Sequence, residues 1–271
     1  MQIKLGYELI FDIPAPVTKL LMLYVHPEQA HVLRFPEVIQ VDPPLPIHDY
    51  IDTFGNRVGR VHAPAGKLRL YYDNVALDSG EPEPSIEGAY LHPADELPDN
   101  CLQFLLPSRY CEVDRFLDMA WNLFGNTPPT WERVKAIVDW SHQRIAFGYQ
   151  WASSSRTAYE ACEEQQGVCR DYMHLAVTLL RAMNIPARYA TGYLGDIGVP
   201  INPAPMDFSA YLEVYLSGRW WAMDARHNKQ RIGRIKQAHG RDAVDVALTT
   251  SFGAARLDKF TVWTDEIHGN R

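Results

Sequence analysis

The chain has 271 residues, of which 46% are hydrophobic and 22% charged. This composition is close to the globular average and excludes extended disorder and fibrous folds. The 26 Lys and Arg residues against 33 Asp and Glu residues give a formal net charge of −7, so a nucleic-acid partner is not expected. No apolar stretch approaches the roughly 20 residues that cross a bilayer, and the N-terminus lacks a leader pattern. We therefore expect a cytoplasmic protein without a membrane partner.

The first hundred residues are predicted to be β-rich. Runs of β-branched and aromatic residues between Pro, Gly and Asp residues, typical of short strands, occupy residues 2–11, 20–25, 30–35 and 67–75. We expect these strands to form an antiparallel β-sandwich over residues 1–107. The acidic, Pro-rich residues 78–98 are interpreted as an exposed connection.

Residues 108–271 are predicted to combine helices with strands. Amphipathic spacing and capping residues predict helices over residues 114–124, 130–145, 155–165 and 169–183. Strands are expected over residues 187–193, 208–216, 219–225 and 259–264. Helices followed by antiparallel strands indicate an α+β fold, with the helices packed on an antiparallel sheet.

The cysteines do not form a disulfide framework or a metal site. They lie at positions 101, 111, 162 and 169, with no C-x-x-C pair and no histidine pair at zinc-site spacing. The glycines at positions 192, 195 and 198 fit neither nucleotide-binding pattern. We therefore expect no metal and no cofactor.

Cys169 is predicted to be the first residue of an amphipathic helix. The free N–H groups and the positive end of the helix dipole, together with Arg170, are expected to lower the pKa of its thiol. Gly167 is expected to allow a sharp turn before the helix. The other interpretation, that Cys169 only fills space in the core, stays open because free cysteines are often buried.

A predicted hairpin brings a carboxylate into register with the strand before it. Counting back from a two-residue turn at Ser217-Gly218 places Tyr211 opposite Asp224. Because side chains alternate along a strand, Ser209 lies on the same face, diagonal to Asp224 at about 7 Å. Positions 209 and 224 are therefore geometric partners.

These segments together resemble the bacterial transglutaminase-like superfamily of papain-like cysteine peptidases. The residues that carry the resemblance are Cys169, then I-P-A-R-Y-x-x-G-Y, then a hairpin ending in W-x-x-x-D, within residues 147–224. The D-T-F-G-N stretch at residues 52–56 is similar to the N-terminal β domain of many bacterial members. The resemblance implies that Cys169 is the nucleophile, that Asp224 is the acidic triad member, and that the substrate is a peptide or protein. An ATP-grasp type of peptide ligase is a partner implied by the resemblance alone.

The sequence departs from the family pattern at the catalytic base. The family hairpin reads D-x-H-A-W, whereas this chain reads D-F-S-A-Y over residues 207–211, so Ser209 stands at the implied histidine position. A hydroxyl group has a pKa far above 7 and cannot take the thiol proton. Loss of general acid–base catalysis costs about 10²–10⁴ in rate unless another base replaces it.

Other groups could replace the missing base. His227 lies three residues after Asp224, where strand alternation places it on the opposite face unless the chain turns there. His174 lies about 140° around the helix from Cys169 and is expected to point away. A water between Ser209 and Asp224 could also relay a proton. The positions of His142 and His239 cannot be predicted from the sequence. Glu164 and Glu213 are predicted to lie on a solvated face.

Two functions are compatible with this pattern. The first is a cysteine hydrolase or acyltransferase that acts on peptide or isopeptide amide bonds through a thioester at Cys169. The second, motivated by Ser209, is an inactive peptide-binding pseudoenzyme of the same fold. Residues 227–242, which are rich in Lys and Arg, are interpreted as a solvated loop and helix.

Overall fold

The computed structural model describes residues 1–268, which form three four-stranded sheets, one two-stranded pair and a group of helices. The strands are β1 (Gln2–Ile13), β2 (Val17–Leu21), β3 (Gln40–Asp42), β4 (His48–Ile51), β5 (Arg57–Ala63), β6 (Gly66–Leu77), β7 (Ala146–Phe147), β8 (Gln166–Gly167), β9 (Ala187–Tyr193), β10 (Ser209–Leu216), β11 (Arg219–Met223), β12 (Ile235–Gly240), β13 (Thr249–Ser251) and β14 (Arg256–Glu266). The α-helices are α1 (Asp99–Leu102), α2 (Leu117–Phe124), α3 (Trp131–Arg144), α4 (Ala158–Glu164) and α5 (Cys169–Ala182). Within residues 1–268 no helix is long and apolar enough to span a bilayer.

Two antiparallel sheets form the predicted N-terminal β-sandwich. Their strand orders are β14-β1-β6-β3 and β13-β2-β5-β4, and their inner faces share one apolar core. Alternate side chains of β1, including Leu5, Tyr7 and Leu9, are buried in this core because strand side chains alternate between faces. The C-terminal strands β13 and β14 pair with β2 and β1 and complete both sheets. The division of the chain at residue 107 stays a prediction.

The second half of the chain forms a helical layer on a third antiparallel sheet, as the α+β prediction requires. This sheet has the order β11-β10-β9-β12. Helix α5 packs on β9 and β10, and the helices α2, α3 and α4 pack around α5. Its buried residues Leu175 and Leu179 share an apolar core with Leu212 and Val214 of β10. Thr130 accepts a hydrogen bond from the Glu132 N–H and caps α3, as predicted.

Three N-terminal segments differ from their predictions. The strand predicted over residues 20–25 is β2 (Val17–Leu21), which begins earlier and ends at Leu21. Residues 30–35 were expected to form a strand, but a 3₁₀ helix spans Pro27–Val32 because Pro27 favours the first helical position and His26 caps it. Residues 78–98 are not a fully exposed connection, since Ile86 and Ala89 are buried. This acidic segment therefore docks on the rest of the molecule.

The basic segment of residues 227–242 is also not a solvated loop and helix. Its second half forms β12, in which all six residues are buried. The charge of Lys236 is compensated by Glu213 at 3.1 Å and Glu28 at 3.3 Å. Pairing of this kind is what allows a charged side chain to be buried in a sheet.

The sandwich and the third sheet are joined through β12. The Asn56 side chain donates to the His239 carbonyl at 2.8 Å and accepts from the His239 N–H at 2.9 Å. Asp52 fixes this turn by accepting hydrogen bonds from the Phe54 and Asn56 N–H groups. The Asn56 side chain thus makes hydrogen bonds to the β12 backbone of the kind that a neighbouring strand would make.

His26 at the same junction predicts an acid-sensitive fold. Its side chain is 3% exposed, and burial together with the Lys236 charge lowers its pKa to about 4. The unfolded chain therefore binds a proton between about pH 6.5 and 4 that the folded chain excludes, so the free energy of unfolding falls as the pH decreases through this window. The slope contributed by such a histidine approaches about 1.4 kcal/mol per pH unit. Urea unfolding of the wild type and of His26→Gln at about pH 7 and about pH 5 measures the difference. An identical pH dependence in both proteins would contradict this assignment.

Candidate active site

Cys169 lies at the start of α5, as predicted. The Asp171 carboxylate accepts a hydrogen bond at 2.8 Å from the N–H of Val168, three residues earlier, and thereby caps the helix. A Cβ atom on Gly167 would lie 2.5 Å from the Asp171 carboxylate. Gly167 is therefore required by close packing against this cap, and its φ is not in the left-handed region.

The surroundings of the Cys169 thiol correct the prediction of a lowered pKa. Burial raises the pKa of the Cys169 thiol, and the Ala210 N–H and the Arg226 guanidinium only partly offset this effect. Arg170 does not contribute as expected, because its guanidinium donates to the Ser153 carbonyl and lies over the Tyr110 ring. The resting form of Cys169 is therefore the thiol, and a reaction through sulfur requires a base.

The hairpin of β10 and β11 has the predicted register. Leu216 pairs with Arg219 and Leu212 with Met223, which extrapolates to Tyr211 opposite Asp224. Ser209 is 9% exposed, and its Oγ has no hydrogen-bond partner among residues 1–268. No histidine is present at this position of the hairpin, so any base for Cys169 would have to come from another part of the chain.

The chain turns directly after β11 and brings His227 back to Asp224. The Asp224 carboxylate accepts hydrogen bonds from the Arg226 N–H at 3.1 Å and the His227 N–H at 2.9 Å. The Asn228 N–H donates to the Asp224 carbonyl at 2.7 Å and closes the turn. Strand alternation therefore does not extend to His227, and the turn that the sequence analysis requires for His227 to reach Asp224 is present.

His227 and Asp224 form a hydrogen-bonded pair. Nδ1 of His227 lies 2.9 Å from Oδ2 of Asp224. Asp224 is ionised, because the His227 hydrogen bond and the Arg234 charge outweigh the effect of burial and hold the pKa of its carboxyl well below the ordinary value. An ionised carboxylate can only accept, so Nδ1 carries the ring proton and Nε2 of the neutral ring is free to take another.

Arg234 is a second partner of Asp224, and the sequence did not point to it. Its Nη2 donates to Oδ2 of Asp224 at 3.1 Å, and both side chains are nearly fully buried. The Asp224 oxygens thus receive hydrogen bonds from the Arg226 and His227 amides, the His227 ring and Arg234. Four such contacts fix the carboxylate rigidly behind His227.

Cys169, Ser209 and His227 line one cleft with a volume of about 90 Å³. Asp224 does not line it and lies behind the His227 ring. Further charged residues of the cleft wall are Asp196, Asp207, Arg226 and Arg231. Tyr149 is half-exposed at the rim, and its ring packs edge-on against Phe147 at 5.2 Å between ring centroids. The cleft therefore holds a thiol and an imidazole whose ring orientation is set by a buried carboxylate.

The other predicted candidates for the base are engaged elsewhere. His174 is buried, accepts from the Ala243 N–H at 3.2 Å and points away from the cleft, as predicted. His142 contacts the Ala225 carbonyl at 3.0 Å and so supports the turn that carries His227. His239 contacts Arg188 at 3.0 Å. The acidic candidates Glu164 and Glu213 pair with Arg156 and Arg188, respectively, and Glu213 is buried rather than solvated.

A local signal for His227 is present in the sequence. An aspartate often closes a turn by accepting the N–H groups two and three residues ahead of it. In Asp224-Ala225-Arg226-His227 this turn also places the histidine ring beside the same carboxylate. An Asp-x-x-His spacing at the end of a strand therefore indicates a pair that strand alternation alone would reject.

Comparisons with known proteins agree with this layout. The family description "Transglutaminase-like superfamily" matches residues 119–225, a range that contains Cys169, Ser209 and Asp224 and ends two residues before His227. An uncharacterized protein of Mycobacterium leprae, ML0607, is 25% identical over 235 residues, which are 81% of this chain and 82% of that protein. The crystal structure of a candidate cysteine protease from Cytophaga hutchinsonii is 28% identical, with a TM-score of 0.83 over 100% of this chain and 92% of that chain. The transglutaminase-like resemblance predicted from the sequence is confirmed for residues 119–225.

Proposed function

We propose that this protein is a cysteine-dependent hydrolase or acyltransferase in which Cys169 is the nucleophile and His227 the base. The observation that carries the proposal is that the Cys169 thiol and the Asp224-bound His227 ring line the same cleft. A nucleophile, a base and a group that orients the base are the parts that covalent acyl transfer needs. Ser209 then occupies the family's histidine position without its chemical role.

The proposed reaction passes through a thioester. Nε2 of His227 takes the Sγ proton of Cys169 while the sulfur attacks the amide carbon and a C–S bond forms. Backbone N–H groups at the start of α5 stabilise the oxyanion. The imidazolium returns the proton to the leaving amine as the C–N bond breaks. Water or a second amine then attacks the thioester and gives its proton to His227, and cleavage of the C–S bond restores the thiol.

A peptide or protein is the proposed substrate. The similar Cytophaga hutchinsonii structure is that of a candidate cysteine protease, and the transglutaminase-like family match supports an amide bond as the target. With water as acceptor the chemistry is hydrolysis or deamidation, and with an amine it is transglutamination. The ATP-grasp ligase partner and the cytoplasmic location stay predictions, and the fold gives them no support.

Acylation by p-nitrophenyl acetate tests the proposal without knowledge of the natural substrate. The wild type is expected to release a burst of p-nitrophenolate and to gain the mass of one acetyl group at Cys169, as intact-mass and peptide mass spectrometry report. Cys169→Ala is the matched control and is expected to lose both signals. Equal burst and labelling in the two proteins would overturn the proposal.

Ser209→Ala is expected to leave the acylation rate within about threefold of the wild type, because a hydroxyl group cannot serve as the base. The same stopped-flow burst, measured for the variant and the wild type at several pH values, checks this. If a water between Ser209 and Asp224 relays the proton instead, the variant should lose at least about tenfold in rate, and His227 would not be the base.

The alternative of a peptide-binding pseudoenzyme rests on Ser209 alone. It predicts that Ser209→His gains hydrolysis of a peptide library that the wild type lacks. Wild-type turnover that is abolished by Cys169→Ala would exclude it. Monodansylcadaverine in the same assay separates the two acceptors, since only an acyltransferase incorporates it into protein substrates.

A further inference from the structure

Glu83, in the acidic segment between β6 and α1, makes charged contacts with the candidate site. Its Oε1 lies 2.5 Å from Nε of Arg234, and its Oε2 accepts the Arg231 N–H at 3.1 Å. The Glu83 N–H donates to the Arg231 carbonyl at 2.9 Å, so backbone and side chain both fix it in place. The Glu83 side chain is 16% exposed, and the Arg234 side chain is 5% exposed.

These contacts continue to the histidine. Arg234 uses Nε for Glu83 and Nη2 for Asp224, and the same Asp224 oxygen contacts Nδ1 of His227. The ring of Tyr211 lies 4.4 Å from the Arg234 guanidinium and shields it. Glu83, Arg234, Asp224 and His227 therefore form a continuous chain of hydrogen-bonded groups, in which the first three carry alternating charges and are largely buried.

We propose that Glu83 is a positioning residue of this site. Because Glu83 binds Arg234, it controls how strongly the Asp224 carboxylate interacts with Arg234 and therefore how strongly it stabilises a protonated His227. This inference rests on the proposed function, because it assigns Glu83 a role only if His227 exchanges a proton. Arg234 competes with His227 for one carboxylate oxygen, and Glu83 moderates that competition by binding the other side of the guanidinium. Burial keeps these interactions from being screened by solvent.

The two outer members of the chain have opposite expected effects. Without Arg234, Asp224 interacts with His227 alone and favours the imidazolium more strongly. Without the Glu83 charge, Arg234 draws more strongly on Asp224 and disfavours the imidazolium. A clamp that only docked the acidic segment would lower stability in both cases but would not move the His227 titration in opposite directions.

Other charged groups near His227 contribute a constant background. Those that line its cleft are Cys169, Asp196, Asp207, Arg226 and Arg231. None of them is replaced in the Glu83 and Arg234 variants, although Glu83 also accepts the Arg231 N–H at 3.1 Å. Opposite shifts in the two variants therefore report the Glu83–Arg234–Asp224 chain, because Arg234→Met replaces neither partner of the Glu83–Arg231 contact.

The test is a pH titration of the histidine rings by NMR on ¹⁵N-histidine-labelled protein, with the His227 signal assigned by its loss in His227→Gln. Arg234→Met is expected to move the His227 midpoint upward by about one pH unit, and Glu83→Gln downward by about half a unit. Glu81→Gln, an equal charge change at an exposed position two residues away, is the matched control and is expected to leave the midpoint unchanged. Shifts in the same direction, or none, would overturn the proposal.

The folded state of each variant is checked by circular dichroism before titration. If Arg234→Met does not fold, Glu83→Gln decides: a downward shift that Glu81→Gln lacks supports the proposal, and an unchanged midpoint overturns it. The acylation assay on the same proteins separates the two hypotheses. Opposite midpoint shifts without acetylation of Cys169 would refute the proposed function alone, whereas acetylation that depends on His227 without midpoint shifts would refute the role of Glu83 alone.

Discussion

Replacing His227 by glutamine is expected to slow the acetylation of Cys169 by about 10²–10⁴-fold, the range that a general base contributes. Glutamine can still hydrogen-bond Asp224 but cannot take up the thiol proton. Because burial raises the pKa of the Cys169 thiol, little of it is ionised near neutral pH in the variant. The pre-steady-state burst of p-nitrophenolate, followed from about pH 6 to about pH 10, gives the loss and its pH dependence.

The loss should shrink as the pH rises, because hydroxide ionises the thiol directly when no internal base is present. His31→Gln, a substitution at an exposed histidine, is the matched control and should keep the wild-type burst. The His227 side chain is 24% exposed, so a folding defect is not the expected cause of a slow burst. A burst in His227→Gln equal to that of the wild type would refute the assignment of the base.

Asp224→Asn is expected to reduce both acylation and stability. The asparagine presents an NH₂ group toward donors on His227 and Arg234, so the ring loses the contact that fixes Nδ1–H, and a loss of about 10²–10⁴ in rate follows. Arg234 also loses the buried one of its two carboxylate partners. Breaking a buried pair of this kind costs about 3–5 kcal/mol in the free energy of unfolding. Urea unfolding and the burst assay measure the two effects on one protein preparation.

The stability effect of Asp224→Asn has a defined pH dependence. Because the pKa of the Asp224 carboxyl is lowered in the folded state, the stabilisation it provides is complete above the unfolded pKa of about 4 and is lost as the pH falls below that value. The difference in the free energy of unfolding between Asp224→Asn and the wild type should therefore become smaller at acidic pH. Asp118→Asn, at an exposed position on α2, should match the wild type. A variant with wild-type stability at neutral pH would contradict the role assigned to the Asp224 carboxylate.

The helices and the strands of the third sheet could be predicted because their local signals agree with their tertiary contacts. The helix predicted over residues 169–183 is α5 (Cys169–Ala182), and the strand predicted over residues 187–193 is β9 (Ala187–Tyr193). Periodicity, a helix cap and a following proline all indicate the same boundaries there. The hairpin register followed from a two-residue turn, which leaves little freedom in the pairing.

The strand β12 could not be predicted, because the charged residues in and directly before it are neutralised by partners distant in the sequence. Lys236 pairs with Glu213, and Arg234 pairs with Glu83, which is 151 residues away in the sequence. A segment rich in Lys and Arg has no apolar alternation and is therefore typical of a solvated loop. Whether a charged side chain is buried depends on contacts with distant residues, and local sequence patterns do not contain that information.

The position of the His227 ring could not be predicted from strand alternation for a related reason. Strand alternation holds only as far as Met223, where β11 ends and the Asp224 side chain accepts hydrogen bonds from the Arg226 and His227 N–H groups. The prediction of a lowered pKa for Cys169 is wrong because burial of the thiol has the largest effect on that pKa and raises it. Both outcomes come from properties of the folded environment that act on a correctly identified residue.

Chemical rescue tests the central claim, that His227 is the base for Cys169, most directly. In His227→Ala, added imidazole is expected to restore the acetylation of Cys169 in proportion to its neutral fraction, while it leaves Cys169→Ala without any burst. Rescue of that kind places the missing function in a ring at position 227. If imidazole has no effect on His227→Ala, and Ser209→Ala is the variant that loses the burst, the assignment of His227 as the base is contradicted.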